Sequence, residues 1–134
     1  MTKTWVPVVA GALSRGDGCW LMHQRPLGKH HGGLWEFPGG KVEHNEMPLE
    51  SLVRELREEL GIECDRSQCQ PISFAESGGH DGHPAIVILL YTVTGWQGEP
   101  AALEGGAIGW FTPAEVRALA KPPPDVQLAA ALLG

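Results

Sequence analysis

Three glutamates give the first sign of chemistry in this chain. Glu55, Glu58 and Glu59 lie at i, i+3 and i+4, so on a helix their carboxylates share one side. Like charges at this spacing repel by a few tenths of a kcal/mol in water, and by more where solvent is partly excluded. A helix needing only solubility would interleave lysines. Arg54 and Arg57 flank the cluster, but neither separates Glu58 from Glu59. A hard divalent cation removes the repulsion, and carboxylate oxygens are the ligands Mg2+ prefers. Against this stands the ordinary reading of a charged helix, a solvated face.

The element that must position these carboxylates is legible around them. Leu49, Leu52, Val53, Leu56 and Leu60 recur at helical spacing and fill one apolar stripe at about 100° per residue. Pro48 suits the first helical turn, where its missing N–H would go unpaired anyway. Gly61 suits the left-handed position just past the end. Upstream, Gly39 and Gly40 let backbone approach a metal or phosphate closely, and Glu46 follows them.

Taken together, Gly40, Glu46, Arg54-Glu55-Leu56, Glu58-Glu59 and Gly61-Ile62, at their spacing over residues 40–62, resemble a complete Nudix box. Leu34-Trp35-Glu36-Phe37-Pro38-Gly39-Gly40 resembles the MutT branch of that family. The likeness extends more weakly over the whole chain. It implies an α/β/α sandwich, a mixed sheet with the box helix on one face and the C-terminal helix on the other. Periodicity alone gives only α/β in one domain, residues 1–134.

Composition narrows the function. The formal charge is −6, and no basic cluster tracks a nucleic-acid backbone, so the expected partner is a small nucleotide rather than a polymer. Apolar content is 43%, ordinary for a globular chain, and no run reaches the roughly 18 apolar residues of a membrane span. The N-terminus lacks the longer apolar segment of a signal peptide. Cys19, Cys64 and Cys69 make an odd set without a second zinc-ligand pair, so they read as thiols of a reducing compartment. A cytoplasmic monomer is the expectation, with a dimer as the alternative.

In chain order, Thr4 to Leu13 reads as a strand, Ser14 to Gly18 as a turn and Cys19 to Gln24 as a second strand forming a hairpin with the first. Pro26 to Gly33 is a polar loop; adjacent His30 and His31 chelate poorly and read as solvated. Trp35 to Phe37 is a short strand, with Phe37 either core or a stacking wall for a base. Ile72 to Glu76 and the apolar Ala85 to Val93 are strands around a Gly/His-rich tip containing His80, Asp81 and His83, read as mobile over the pocket rather than as a metal site. Gly95 to Pro100 turns the chain, and Ile108 to Phe111 is the last strand. Thr112 caps a helix with Pro113 at its first position, and Asp125 caps a final one.

The Nudix resemblance implies hydrolysis of a nucleoside triphosphate to monophosphate and pyrophosphate, with water directed at the β-phosphorus. Mg2+, with Mn2+ as a substitute, would be held by Glu55, Glu58, Glu59 and the Gly40 carbonyl. Arg54 would orient a box carboxylate, and Glu46 would brace the loop or take part in catalysis. Glu55 and Glu104 are the candidates for general base. Arg25 matches a phosphate-contacting position, Phe37 the nucleoside pocket and Asp125 a base-reading one. The leading substrate is 8-oxo-dGTP, in nucleotide-pool sanitation and DNA repair. The runner-up is CTP or a modified dCTP, and a third reading is a non-catalytic nucleotide sensor. An ionised Asp125 only accepts hydrogen bonds; two from guanine N1–H and N2–H2 would outdo one from a cytosine amino group.

Overall fold

The computed structural model describes residues 5–79 and 82–134. Thr4, His80 and Asp81, to which the sequence reading assigned a strand start and a loop tip, lie outside the described residues. The centre is β1 (Trp5–Leu13), paired in parallel with β7 (Ala85–Val93) from Trp5 opposite Ala85 to Leu13 opposite Val93. Its other edge takes β4 (Gly39–Lys41) antiparallel, and β6 (Cys69–Ser77) runs antiparallel along the far edge of β7. The sheet order β4-β1-β7-β6 is therefore mixed.

Side chains alternate across a strand, and β1 uses both faces. Val9 and Leu13 pack with Leu52, Val53, Leu56 and Leu60 of α1 (Pro48–Leu60). Ala10 and Ala12 pack with Leu128 and Ala129 of α3 (Pro123–Leu133). The two helices thus cover opposite faces, as the resemblance implied. Each fully buried leucine in these layers contributes about 1.5–3 kcal/mol. Pro48 occupies the first helical turn, Glu50 accepts the Met47 N–H at 2.8 Å, and Gly61 ends α1 at φ 73°. Past that end, the Leu60 and Glu59 carbonyls accept the Ala101 and Leu103 N–H groups at 3.1 and 3.0 Å. The helix's free carbonyls are thereby used to fix the loop that carries Glu104.

Three sequence expectations change. The hairpin between the first two strands does not form: β2 (Trp20–Gln24) meets β1 at one bridge, Ser14 opposite Trp20. Both edges of β1 are already taken, so β2 instead pairs with β3 (Trp35–Glu36) and β9 (Ala107–Phe111) in a second sheet. The turn after residue 94 holds a short strand, β8 (Trp96–Gln97), on β5 (Glu63–Cys64). And α3 begins at Pro123, with Pro122 as its cap, so Asp125 lies inside the first turn and does not cap it. Consecutive prolines carry no N–H to be capped and already fix the helical φ, so the helix starts on them. Helix α2 (Pro113–Ala118) keeps its expected cap, with Thr112 Oγ1 accepting the Glu115 N–H at 3.2 Å.

Candidate active site

Arg54 organises the exposed side of α1. Its Nε and Nη2 bind the two Glu46 oxygens at 2.7 and 3.0 Å. Nη1 reaches Glu55 Oε1 at 2.7 Å and both Glu58 oxygens at 3.3 Å, while Nη2 also donates to the Lys41 carbonyl at 3.1 Å. Glu46 further accepts the Ser51 hydroxyl at 2.5 Å and the Glu43 N–H at 3.1 Å. Arg54, then Ser51, hold the Glu46 carboxyl down at about 2, the environment of a brace for the loop.

Glu55 lies against β4. A Cβ on Gly40 would stand 2.0 Å from Glu55 Oε2, so only glycine lets this carboxylate rest on the strand. Burial raises the Glu55 pKa, against Arg54, with Glu58 and Glu104 adding to the rise. Glu58 is the open member, its side chain 48% exposed. Glu59 is 7% exposed, and burial first of all lifts its pKa to about 7. Glu104 sits on the exposed loop hooked to the end of α1 and raises the pKa of both Glu55 and Glu59. Glu55 thus rests on Gly40, Glu58 stands open beside Arg54, and Glu59 turns to the buried side towards His23. The donor set is all oxygen, Glu55 and Glu59 carry raised pKa values, and Arg54 bridges Glu55 and Glu58. That is a chemistry a divalent cation fits.

Two residues here escaped the sequence reading, His23 and Glu36. His23 is 5% exposed; Nε2 meets the Gly105 carbonyl at 3.0 Å, and Nδ1 faces Glu59 at 3.5 Å and Glu36 at 3.9 Å. Glu36 foremost, with Gly105 and Glu59, raises the imidazole pKa against burial. The available signal was the period of two along β2: Leu21 lies in the α1-side core, and His23 shares its row.

The remaining expected residues gather towards α3. Arg25 donates through Nε to the His30 carbonyl at 2.6 Å and through Nη1 to both Glu36 oxygens at 3.3 and 3.2 Å. Phe37 is 3% exposed within the α3-side core, and its N–H donates to Asp125 Oδ2 at 3.1 Å. Asp125 is 4% exposed, and burial pushes its pKa to about 7, with Glu36 adding and Lys121 and Arg25 opposing. The His83 ring stacks on His30 at 4.0 Å, bringing the residues just before β7 onto the Arg25 loop.

An acidic helix clamped by an arginine, beside a Gly-Gly strand in this sandwich, is an arrangement suited to phosphate hydrolysis assisted by a divalent cation. The NUDIX domain family matches residues 4–132, and the chain belongs to it, as a MutT-type hydrolase. An 8-oxo-dGTP diphosphatase of Proteus vulgaris is 39% identical over 105 residues, 78% of this chain and 90% of that protein. A CTP pyrophosphohydrolase of Escherichia coli is 38% identical over 128 residues, covering 96% and 91%. The solution structure of the Escherichia coli ORF135 protein superposes with TM-score 0.83 at 35% identity, covering 97% of this chain and 89% of that one. A MutT structure from work on Aliivibrio salmonicida and Vibrio cholerae gives TM-score 0.75 at 31% identity, covering 95% and 98%.

Proposed function

We propose that this protein hydrolyses a nucleoside triphosphate to the monophosphate and pyrophosphate, with Mg2+ as cofactor and Mn2+ as a substitute, as a cytoplasmic monomer; among the described residues, no helix is long and apolar enough to cross a membrane. The observation that carries this is the Arg54 clamp on Glu46, Glu55 and Glu58, with Glu55 seated on Gly40. Glu55, Glu58, Glu59 and the Gly40 carbonyl would hold the cation, which supplies charge neutralisation for the phosphates and a lowered pKa for the attacking water. Arg54 fixes Glu55 and Glu58 in place. Burial makes Glu55 a better proton acceptor than an exposed carboxylate, so it suits the role of general base, with Glu104 as the alternative. Arg25, now on Glu36, turns to the substrate's phosphates. A nucleotide sensor would not need this full carboxylate set.

For the base, the leading reading is an oxidised guanine triphosphate, 8-oxo-dGTP, in nucleotide-pool sanitation, the activity named for the Proteus vulgaris relative. A specific observation favours the second reading, CTP or a modified dCTP. Asp125 Oδ2 is already engaged by the Phe37 N–H, so two-oxygen recognition of guanine loses its advantage. With a pKa near 7, a protonated Asp125 also donates, and cytosine N3 accepts where guanine N1–H does not.

Pyrophosphate release from a panel of ordinary and oxidised triphosphates, with and without Mg2+, tests the class; absence of turnover on every substrate supports the sensor instead. In 18O-labelled water, label in pyrophosphate marks attack at the β-phosphorus, and label in the monophosphate contradicts it. The ratio of kcat/KM for 8-oxo-dGTP over CTP should rise with pH through about 7 if Asp125 reads as a carboxylate. A flat ratio removes Asp125 from base recognition.

A further inference from the structure

His23 has no role in the reaction as set out above, yet it is built into the floor of the site. Its Nε2 carries a proton, because the Gly105 carbonyl 3.0 Å away only accepts. In a neutral imidazole Nδ1 is then a bare lone pair. That lone pair faces Glu59 Oε1 at 3.5 Å and Glu36 Oε2 at 3.9 Å. Nδ1 and Glu59 Oε1 are both buried and without a hydrogen-bond partner. Electron-rich atoms facing one another, two of them out of water, are costly, and either a proton on Nδ1 or a cation held between them removes that cost.

The spacing says what fits. The ligand atoms of His23, Glu36 and Glu59 all lie within 4.8 Å of one another. Two ligands each about 2.1 Å from one ion stand about 3.0 Å apart at a right angle and about 4.2 Å apart in line. The observed 3.5 and 3.9 Å fall inside that span. A metal-bound histidine characteristically gives its other N–H to a backbone carbonyl, which fixes tautomer and ring; His23 does this with Gly105. Glu36 keeps one oxygen in the cluster while also pairing with Arg25 at 3.2 Å. Two carboxylates, one of them shared with Arg25, and a neutral imidazole offer a divalent ion a mixed oxygen and nitrogen ligand set.

We propose that His23, Glu36 and Glu59 form a nitrogen-containing divalent-cation site that shares Glu59 with the α1 carboxylate cluster. Imidazole is a poor partner for Mg2+ and a good one for borderline first-row ions, so this site biases the protein towards ions such as Co2+. The inference rests on the reading above for the placing of Glu59 beside a cation. Through Gly105 it also ties the ion to the segment bearing Glu104.

The test uses the full chain stripped of metal and then loaded with Mn2+ alone, read by pulsed electron paramagnetic resonance. The expected result is 14N modulation from a directly bound imidazole in the wild type, lost in His23→Gln. Calorimetry with Co2+ and with Mg2+ should show a Co2+ preference that falls at least about tenfold in that variant. Should His23→Gln fail to fold, Glu36→Gln retains the imidazole; it should keep the 14N signal while Co2+ affinity drops. Bound Mn2+ without 14N modulation overturns the proposal and leaves an oxygen-only site standing. A 14N signal that survives His23→Gln assigns the nitrogen to another histidine and also overturns it. Absence of any bound divalent ion defeats both this proposal and the reading beneath it.

Discussion

The two arginines of α1 sit one turn apart and do different work. Arg57 makes a two-pronged pair with Glu63 at 2.9 Å, and both side chains are exposed. Arg54 binds Glu46, Glu55, Glu58 and the Lys41 carbonyl from a partly sheltered position. An exposed pair gains little, because water and salt screen it and two long side chains must be ordered. A guanidinium shared among several carboxylates and a carbonyl fixes geometry that water cannot reproduce. The same residue type on the same helix is decoration in one place and the keystone of the site in the other. Burial and the number of partners separate them.

That contrast can be broken by substitution. Arg54→Ala should lower kcat/KM by roughly a hundredfold and lower Tm, because it frees Glu46 and leaves Glu55 and Glu58 without their orienting cation. Arg54→Lys should recover only part of this, since a lysine cannot span two oxygens of Glu46 and still reach Glu55. Kinetics and thermal melts of the three proteins check both. Gly40→Ala should cost about tenfold in kcat/KM by pushing Glu55 off β4, with a smaller loss of Tm. Asp125→Asn sharpens the comparison on the other face. A carboxyl whose folded pKa lies above its unfolded value binds its proton more tightly when folded, so its contribution to stability declines as pH rises from about 4 towards 7. Melts across that window should show wild type losing ground to Asp125→Asn as pH rises. Arg57→Ala, the smallest effect, should leave turnover and Tm near wild type; a loss matching Arg54→Ala would erase the distinction.

What the sequence made legible follows from where its signals are local. The α1 stripe, the Gly61 stop and the Thr112–Pro113 start are written in neighbouring residues, so each could be read directly. Glu55, Glu58 and Glu59 share a side by helical period alone. The β1–β2 hairpin failed for the opposite reason. Its flanking pattern is that of a hairpin, but β4 and β7 claim both edges of β1 from far along the chain. Asp125 was placed one turn early because the prolines themselves open α3. His23 and Glu36 lie on strands of five and two residues, too short to announce a site, and their partner Glu59 is distant in sequence. Only the pairing of β2 with β3, and the packing of that sheet beside α1, brings the three together.

The central claim is that the α1 carboxylates hold the catalytic cation, and Glu58→Gln tests it most directly. Glu58 is largely exposed, so an amide there empties no core position and the fold should persist by circular dichroism. Pyrophosphate release measured across a Mg2+ titration should show the half-saturating Mg2+ rising about tenfold or more, with turnover at limiting Mg2+ nearly abolished, because a neutral oxygen replaces a charged ligand. A variant that matches wild type at limiting Mg2+ would contradict the account.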